Sequence, residues 1–134
     1  MKPYVQFLLI ALGGALGAMT RFAIHQWTEQ SVKTDSVISK LPIGTFIANV
    51  VGCFLIGMLI GSGRSELSQH LRLFAGIGFL GALTTFSTFG SETIKSIEEG
   101  SWAIAGCNVI ASVVFSLAAV MFGLWLGRKM VGPQ

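Results

Sequence analysis

Four long apolar stretches limit how this sequence can fold, and they run over approximately 4–26, 43–62, 71–98 and 102–126. Each is close to the ~20 residues that a helix needs to cross a bilayer. Only 11% of the 134 residues are charged, which is too few to cover a soluble domain of this size. The sequence therefore predicts an all-α integral membrane protein, with a single four-helix transmembrane domain over residues 1–134.

The first stretch also has some features of a secretory signal peptide. Lys2 precedes the apolar run, and Ala15, Gly17 and Ala18 form a small-residue pattern toward its end. Its removal would leave three spans and discard the segment with the most regularly spaced glycines, so four spans are predicted.

Basic residues are divided almost evenly between the two sides of a four-span chain. One side would hold five, namely Lys2, Arg64, Arg72, Arg128 and Lys129. The other side would hold four, namely Arg21, Lys33, Lys40 and Lys95. Orientation in a membrane follows an asymmetry of Lys and Arg, which is nearly absent here. A protein that inserts both ways up would show this balance, and an orientation fixed by other features stays equally open.

Small residues at helical spacing predict close helix contacts. Gly13 and Gly17 form a GxxxG pair in the first stretch, and Gly57 and Gly61 form another in the second. Such spacing lets two membrane helices approach closely. Arg21 lies toward the end of the first stretch, where buried pairing and snorkelling to the interface are both open.

Two spans carry polar side chains at membrane depth. Asn49 lies near the middle of the second span, with Thr45 one turn earlier on the same face. Asn108, Ser112 and Ser116 share one face of the fourth span because they are spaced four residues apart. A polar seam between helices and the wall of a pore both explain these residues, because either one satisfies hydrogen-bonding groups inside lipid.

The stretch "GALTTFSTFG" at 81–90 places four hydroxyl side chains around Phe86 and Phe89, between glycines. This composition predicts that the third helix is broken mid-span, which membrane proteins tolerate only inside protein or beside an aqueous cavity. The two rings would share a face, and their electropositive edges would suit a small anion. The alternative is a kinked helix whose hydroxyls bond back to its own carbonyls.

Several other chemistries are excluded. The segment "GIGFLG" at 76–81 matches a dinucleotide-binding pattern, but that motif requires a preceding strand, which the sequence lacks. His25 and His70 lie at span ends, away from any nucleophile or metal cluster, and are predicted to be solvated. No enzyme is indicated.

Three stretches carry a family resemblance: "GGALGAMTRF" at 13–22, "PIGTFIANVVGCFLIG" at 42–57 and "GFLGALTTFSTFGSE" at 78–92. These stretches, together with the polar stripe formed by Asn108, Ser112 and Ser116 on the last helix, make the sequence resemble the small dual-topology bacterial fluoride channels of the Fluc (CrcB) family. The resemblance covers all four spans and implies an antiparallel dual-topology homodimer in the bacterial inner membrane. It implies no nucleic-acid partner.

The resemblance also implies roles for individual residues. It assigns the fluoride pore to Phe86, Phe89, Asn49, Asn108, Ser112 and Ser116. It implies a structural sodium ion, Na+, at the dimer centre, held by backbone carbonyls of Gly81 and Thr84 from both subunits. Arg21 and Glu92 match further family positions, as structural or vestibule residues.

The function expected from this resemblance is a passive, fluoride-selective channel that exports fluoride from the cytoplasm and relieves its toxicity. Two other classes stay in view. A small proton-coupled multidrug exporter would need an acid in the first span, and residues 4–26 contain none. A non-conducting structural subunit would use the polar stripes only as seams.

Overall fold

The computed structural model describes residues 2–32, 40–63 and 69–131. These residues are all-helical, with four helical spans long and apolar enough to cross a membrane: Pro3–Ser31, Ile43–Gly61, Gln69–Glu98 and Trp102–Met130. The predicted all-α class and the four spans are confirmed. The α-helices are α1 (Pro3–Ser31), α2 (Ile43–Gly61), α3 (Gln69–Leu71), α4 (Gly81–Leu83), α5 (Phe86–Glu98) and α6 (Trp102–Val131), with a π-helix, Arg72–Leu80, between α3 and α4.

The first span is longer than its sequence predicted. The sequence predicts this span over approximately 4–26, but α1 continues to Ser31, so its predicted end was too early. Thr28 is accommodated in the helix because its hydroxyl donates to the backbone oxygen of His25 at 2.8 Å. Lys33 and Arg64, two of the basic residues counted on either side, lie outside the described residues.

The third span is broken, as predicted. Thr84 and Thr85 are extended, with φ/ψ of −81°/148° and −149°/121°, and α5 begins at the next residue. The π-helix before the break was not predicted. Its extra residue per turn leaves no signature in hydrophobic periodicity, and such turns are often found near functional sites.

Glycines bring α1 and the π-helix into contact backbone to backbone. A Cβ atom on Gly13 would collide with the backbone oxygen of Phe74, and one on Gly17 with that of Phe79. On the π-helix, a Cβ atom on Gly78 would in turn collide with the backbone oxygen of Ile10 in α1. Because lipid provides no hydrophobic drive for helix association, this close packing holds the third span against the first.

A second glycine seam joins α2 and α6. Gly57 and Gly61 of α2 lie against the backbone of Val120 and Leu124. Two glycines of α6, Gly123 and Gly127, lie against α2 in return. The predicted close packing at Gly57 and Gly61 is confirmed, and the sequence reading missed the facing GxxxG pair on α6.

Large apolar side chains point mainly outward. The buried apolar core is small, centred on Ala48, Leu80 and Leu83. Trp102 and Trp125, near the ends of α6, are 69% and 50% exposed. This distribution suits a bilayer, where lipid covers the apolar surface and tryptophans sit at its interfaces.

Two adjacent glycines allow a matched test of the α1 packing. Gly13→Ala should destabilise the protein by roughly 1–3 kcal/mol, because the added methyl meets the backbone at Phe74 and only a helix shift relieves it. Gly14→Ala should be neutral or slightly stabilising, since its nearest new contact is 4.0 Å away. Thermal unfolding in detergent measures both, and equal melting temperatures for the two variants would contradict the packing.

Candidate functional site

The break in the third span is held by the side chain of Asn49 from α2. The backbone N–H of Thr85 donates to Asn49 Oδ1 at 2.8 Å. Asn49 Nδ2 donates in return to the backbone oxygen of Thr85 at 3.2 Å. One amide side chain therefore satisfies both backbone groups of an extended residue, which would be costly to leave unpaired in lipid.

The hydroxyl side chains at the break organise its two helix ends. Thr85 caps α5, because its Oγ1 accepts the backbone N–H of Thr88 at 3.2 Å. The Thr85 Oγ1 also lies 3.1 Å from the hydroxyl of Ser87 and from that of Thr88. Thr84 bonds back to the backbone oxygen of Leu80 at 3.0 Å. The Thr84 contact is the back-bonding to a carbonyl that the kinked-helix alternative describes, and it occurs together with a real interruption of the helix.

An open cleft of about 490 Å³ lies beside the break, between α2, the third span and α6. It brings together seven of the ten site residues predicted from the sequence: Asn49, Gly81, Thr84, Phe86, Phe89, Ser112 and Ser116. None of the described residues that line it carries a formal charge. We refer to it as the central cleft.

Two phenylalanine rings project from the first turn of α5 at this cleft. The ring centroids of Phe86 and Phe89 are 5.3 Å apart, with planes tilted by 45°. The side chain of Phe86 is 81% exposed, so no described part of this chain covers it. A large ring beside polar groups at membrane depth therefore has one side open to lipid or to a second protein surface.

The polar stripe of α6 serves two purposes. Ser112 and Ser116 line the central cleft. Asn108 does not line it and is only 6% exposed. The Asn108 side chain accepts from the Ser112 hydroxyl at 3.1 Å and donates to Thr93 Oγ1 at 2.8 Å. Thr93 in turn donates to the backbone oxygen of Phe89 at 2.7 Å. Asn108 therefore ties α6 to the helix turn that carries Phe89.

Glu92 lies outside the central cleft, one turn further along α5. Its Oε1 accepts the hydroxyl of Thr45 at 2.8 Å and lies 3.7 Å from Nε2 of His25. His25 is partly solvated, with 42% of its side chain exposed, and its other ring nitrogen lies 3.3 Å from Oε1 of Glu29, so it also has partners that were not predicted. The contact with Glu92 joins two different helices, α1 and α5, and the extension of α1 to Ser31 adds the second partner, Glu29.

Arg21 lies apart from both groups of polar residues. It is half-buried within α1, and its side chain forms no ion pair or hydrogen bond with the residues in 2–32, 40–63 and 69–131. It also lines neither the central cleft nor the region around Glu92.

Three residues that organise the site were missed by sequence reasoning. Thr85 caps α5 and pairs with Asn49, Thr93 joins Asn108 to α5, and His25 faces Glu92. A threonine three residues before Thr88 is a recognisable N-cap pattern, which could have indicated Thr85. The other two depend on contacts between helices and leave no local signal.

Comparisons with known proteins match this chain to one family. The model of the family described as CrcB-like protein, Camphor Resistance (CrcB), matches residues 8–124. A protein of Shewanella sp. (strain ANA-3) named fluoride-specific ion channel FluC is 41% identical over 125 residues, covering 92% of this chain and 94% of the relative. Relatives of the same name from Shewanella baltica (strain OS185) and Shewanella sp. (strain W3-18-1) are 42% and 40% identical over the same shares.

The pairing of Asn49 with the break can be tested by substitution. Asn49→Leu keeps the side-chain size but leaves the backbone N–H and oxygen of Thr85 unpaired, at about 1–3 kcal/mol for each group. We expect faster hydrogen–deuterium exchange across residues 84–89 and a lower melting temperature in detergent.

The matched control is Val51→Leu, at an exposed position on the same helix. It should leave both measurements unchanged. Unaltered exchange at 84–89 in the Asn49→Leu variant would show that the break does not depend on this side chain.

Proposed function

The chain belongs to the CrcB-like family, and on that basis we propose that it is a fluoride-selective ion channel. The family is one of ion channels and not of enzymes. Fluoride would leave the cytoplasm passively, down its gradient, across the bacterial inner membrane. The observation that carries the proposal is the central cleft, where amide, hydroxyl and aromatic groups from three spans meet at membrane depth.

The donors at the cleft suit a small, strongly hydrated anion, which must exchange its water for close hydrogen-bond donors. An asparagine amide carries two N–H groups, and the Thr85 oxygen uses one at Asn49, so the second is available. The Ser116 hydroxyl bonds to none of the described residues and is also available. Ser112 donates to Asn108, so it must rotate away before it can donate to an ion.

Passage also requires that the ion is released. None of the described residues that line the cleft carries a positive charge that would trap an anion. The edges of the Phe86 and Phe89 rings would give fluoride a weakly electropositive surface. Neutral donors with aromatic edges therefore favour entry without holding the ion tightly. Asn108 would act by positioning Phe89 and Ser112.

An antiparallel homodimer would complete the cleft. Phe86 is 81% exposed and Gly81 is also exposed in the single chain, so both are free to meet a second copy. The near-even division of basic residues is what insertion in both orientations would require. A second copy would cover the open side of Phe86 and shield the ion path from lipid.

A structural sodium ion at the dimer centre fits the backbone near the break. In a continuous helix the N–H of Thr85 would donate to the oxygen of Gly81. Here it donates to Asn49, so the Gly81 oxygen loses its usual donor. Carbonyl oxygens of unwound helices are suitable sodium ligands, and Gly81 and Thr84 would supply them. Bound sodium would contribute positive charge and hold the break rigid.

The channel proposal predicts fluoride-specific efflux from proteoliposomes, measured with a fluoride electrode and with chloride as the comparison ion. Phe86→Ile should slow fluoride efflux roughly tenfold, which corresponds to about 1.4 kcal/mol in the barrier, because the electropositive ring edge is lost and the cleft shape also changes. Phe7→Ile is the matched control, since Phe7 is 73% exposed on α1 and away from the cleft.

Light scattering of the purified protein would establish its oligomeric state before reconstitution. A folded, dimeric protein that passes no fluoride would rule out the channel. Equal fluoride and chloride efflux would rule out its selectivity, and equal rates in the two phenylalanine variants would remove Phe86 from the path.

The sodium proposal predicts ion-specific stability. Exchange of sodium for N-methylglucamine should lower the melting temperature in detergent, and bound sodium would contribute about 2.7 kcal/mol at ~100 times its dissociation constant. Potassium at equal ionic strength is the control and should not restore the loss. The same melting temperature in all three salts would contradict a sodium site.

A further inference from the structure

A second cavity, of about 470 Å³, lies at one end of the helix bundle. Unlike the central cleft, it is lined by charged and titratable side chains, which are His25, Glu29, Lys40, Glu92, Lys95 and Glu99. We call it the charged cavity. The proposed fluoride site and sodium site do not include this cavity.

The charged cavity lies one helical turn from the central cleft on two helices. On α2, Thr45 contacts Glu92 at the charged cavity, and Asn49 lines the cleft. On α5, Glu92 lines the charged cavity and Phe89 lines the cleft. The hydrogen bond between Thr45 and Glu92 therefore lies at the boundary between the two spaces. An ion that moves between them passes this carboxylate.

The carboxylate at this boundary is an unfavourable neighbour for an anion. Only its Oε1 is bonded, to Thr45, while Oε2 is buried without a hydrogen-bond partner among the described residues. Among the described residues, the basic side chain that approaches Glu92 within ion-pair distance is His25, whose Nε2 lies 3.7 Å from Oε1. A protonated imidazole at this distance offsets the negative charge, whereas a neutral imidazole does not.

We propose that His25, when protonated, compensates the carboxylate of Glu92 and so sets the rate at which fluoride passes between the charged cavity and the central cleft. The inference rests on the proposed channel function and adds a residue outside the cleft to it. The extension of α1 to Ser31 places Glu29, the other partner of His25, at the same cavity.

The other charged groups around the cavity do not account for such an effect. Among the described residues, neither Lys40 nor Lys95 forms an ion pair with Glu92, and histidine is the side-chain type that ordinarily changes charge between about pH 5 and pH 8. Glu29 and Glu99 are exposed, so water screens them more than it screens Glu92. Because His25 also contacts Glu29, variants of Glu92 are needed to assign a change that depends on pH and His25 to the pair with Glu92.

The test measures fluoride efflux from proteoliposomes at about pH 6 and about pH 8, with protein-free vesicles as the blank at each pH. Wild-type efflux should be faster at the lower pH. His25→Gln should be slow at both pH values, roughly fivefold below wild type at the lower one, a factor typical of a partly solvated charge pair. His25→Lys should be fast at both.

A variant of Glu92 tests whether His25 changes the efflux rate through this carboxylate. Glu92→Gln removes the charge, so adding His25→Gln to it should cause no further slowing.

His70→Gln is the matched control, because His70 is exposed at the start of the third span and lies away from the charged cavity. It should keep the wild-type pH profile. Each variant is first checked for the wild-type melting temperature and elution volume.

The outcomes separate this inference from the channel proposal. No fluoride efflux from wild-type protein would reject the channel itself. Fluoride efflux that is the same in wild type and His25→Gln at the lower pH would overturn only the role of His25. Slowing by His25→Gln that persists in the Glu92→Gln background would also overturn it, because the histidine would then act without that carboxylate.

Discussion

The two hydrogen bonds between Asn49 and Thr85 are the interaction on which the rest of this structure depends. A helix that is interrupted inside a bilayer leaves backbone N–H and C=O groups without partners, and the bilayer core provides no water to hydrogen-bond with them. A side-chain amide offers one acceptor and two donors, so it can pair with a peptide unit and keep a donor free. The interruption in turn directs the phenylalanines of α5 toward the cleft and frees the carbonyl of Gly81.

Glycine packing supplies the rigid frame around this break. In lipid, large apolar side chains gain little by facing one another, so helices associate where their backbones can touch. Gly13 and Gly17 hold the π-helix against α1, and Gly57 and Gly61 hold α2 against α6. The first contact fixes the segment before the break. The second fixes α2, which carries Asn49, so both partners of the central hydrogen bonds are held in place.

Polar side chains at membrane depth are divided between two spaces with different electrostatics. The central cleft has neutral donors, whereas the charged cavity has groups of both signs around Glu92. Between them, Thr45 and Asn108 bond to α5 at Glu92 and Thr93. The same helix thus receives a polar contact from α2 and another from α6. In the proposed channel, the neutral groups would meet the ion in the cleft, while the charged groups would act on its arrival.

The sequence by itself determined the membrane class, the four spans, the glycine faces and the broken third helix, because hydrophobicity, small-residue spacing and hydroxyl-rich stretches act locally. The family resemblance of the sequence implied that Asn49, Phe86 and Ser112 belong to one site, and the cleft brings them together. Only the tertiary structure decided that Asn108 bonds to Thr93 instead of lining the cleft, and that His25 faces Glu92. Those contacts join side chains on different helices, and their distances depend on helix length, rotation and the π-helical turn. Periodicity along one helix does not encode these quantities.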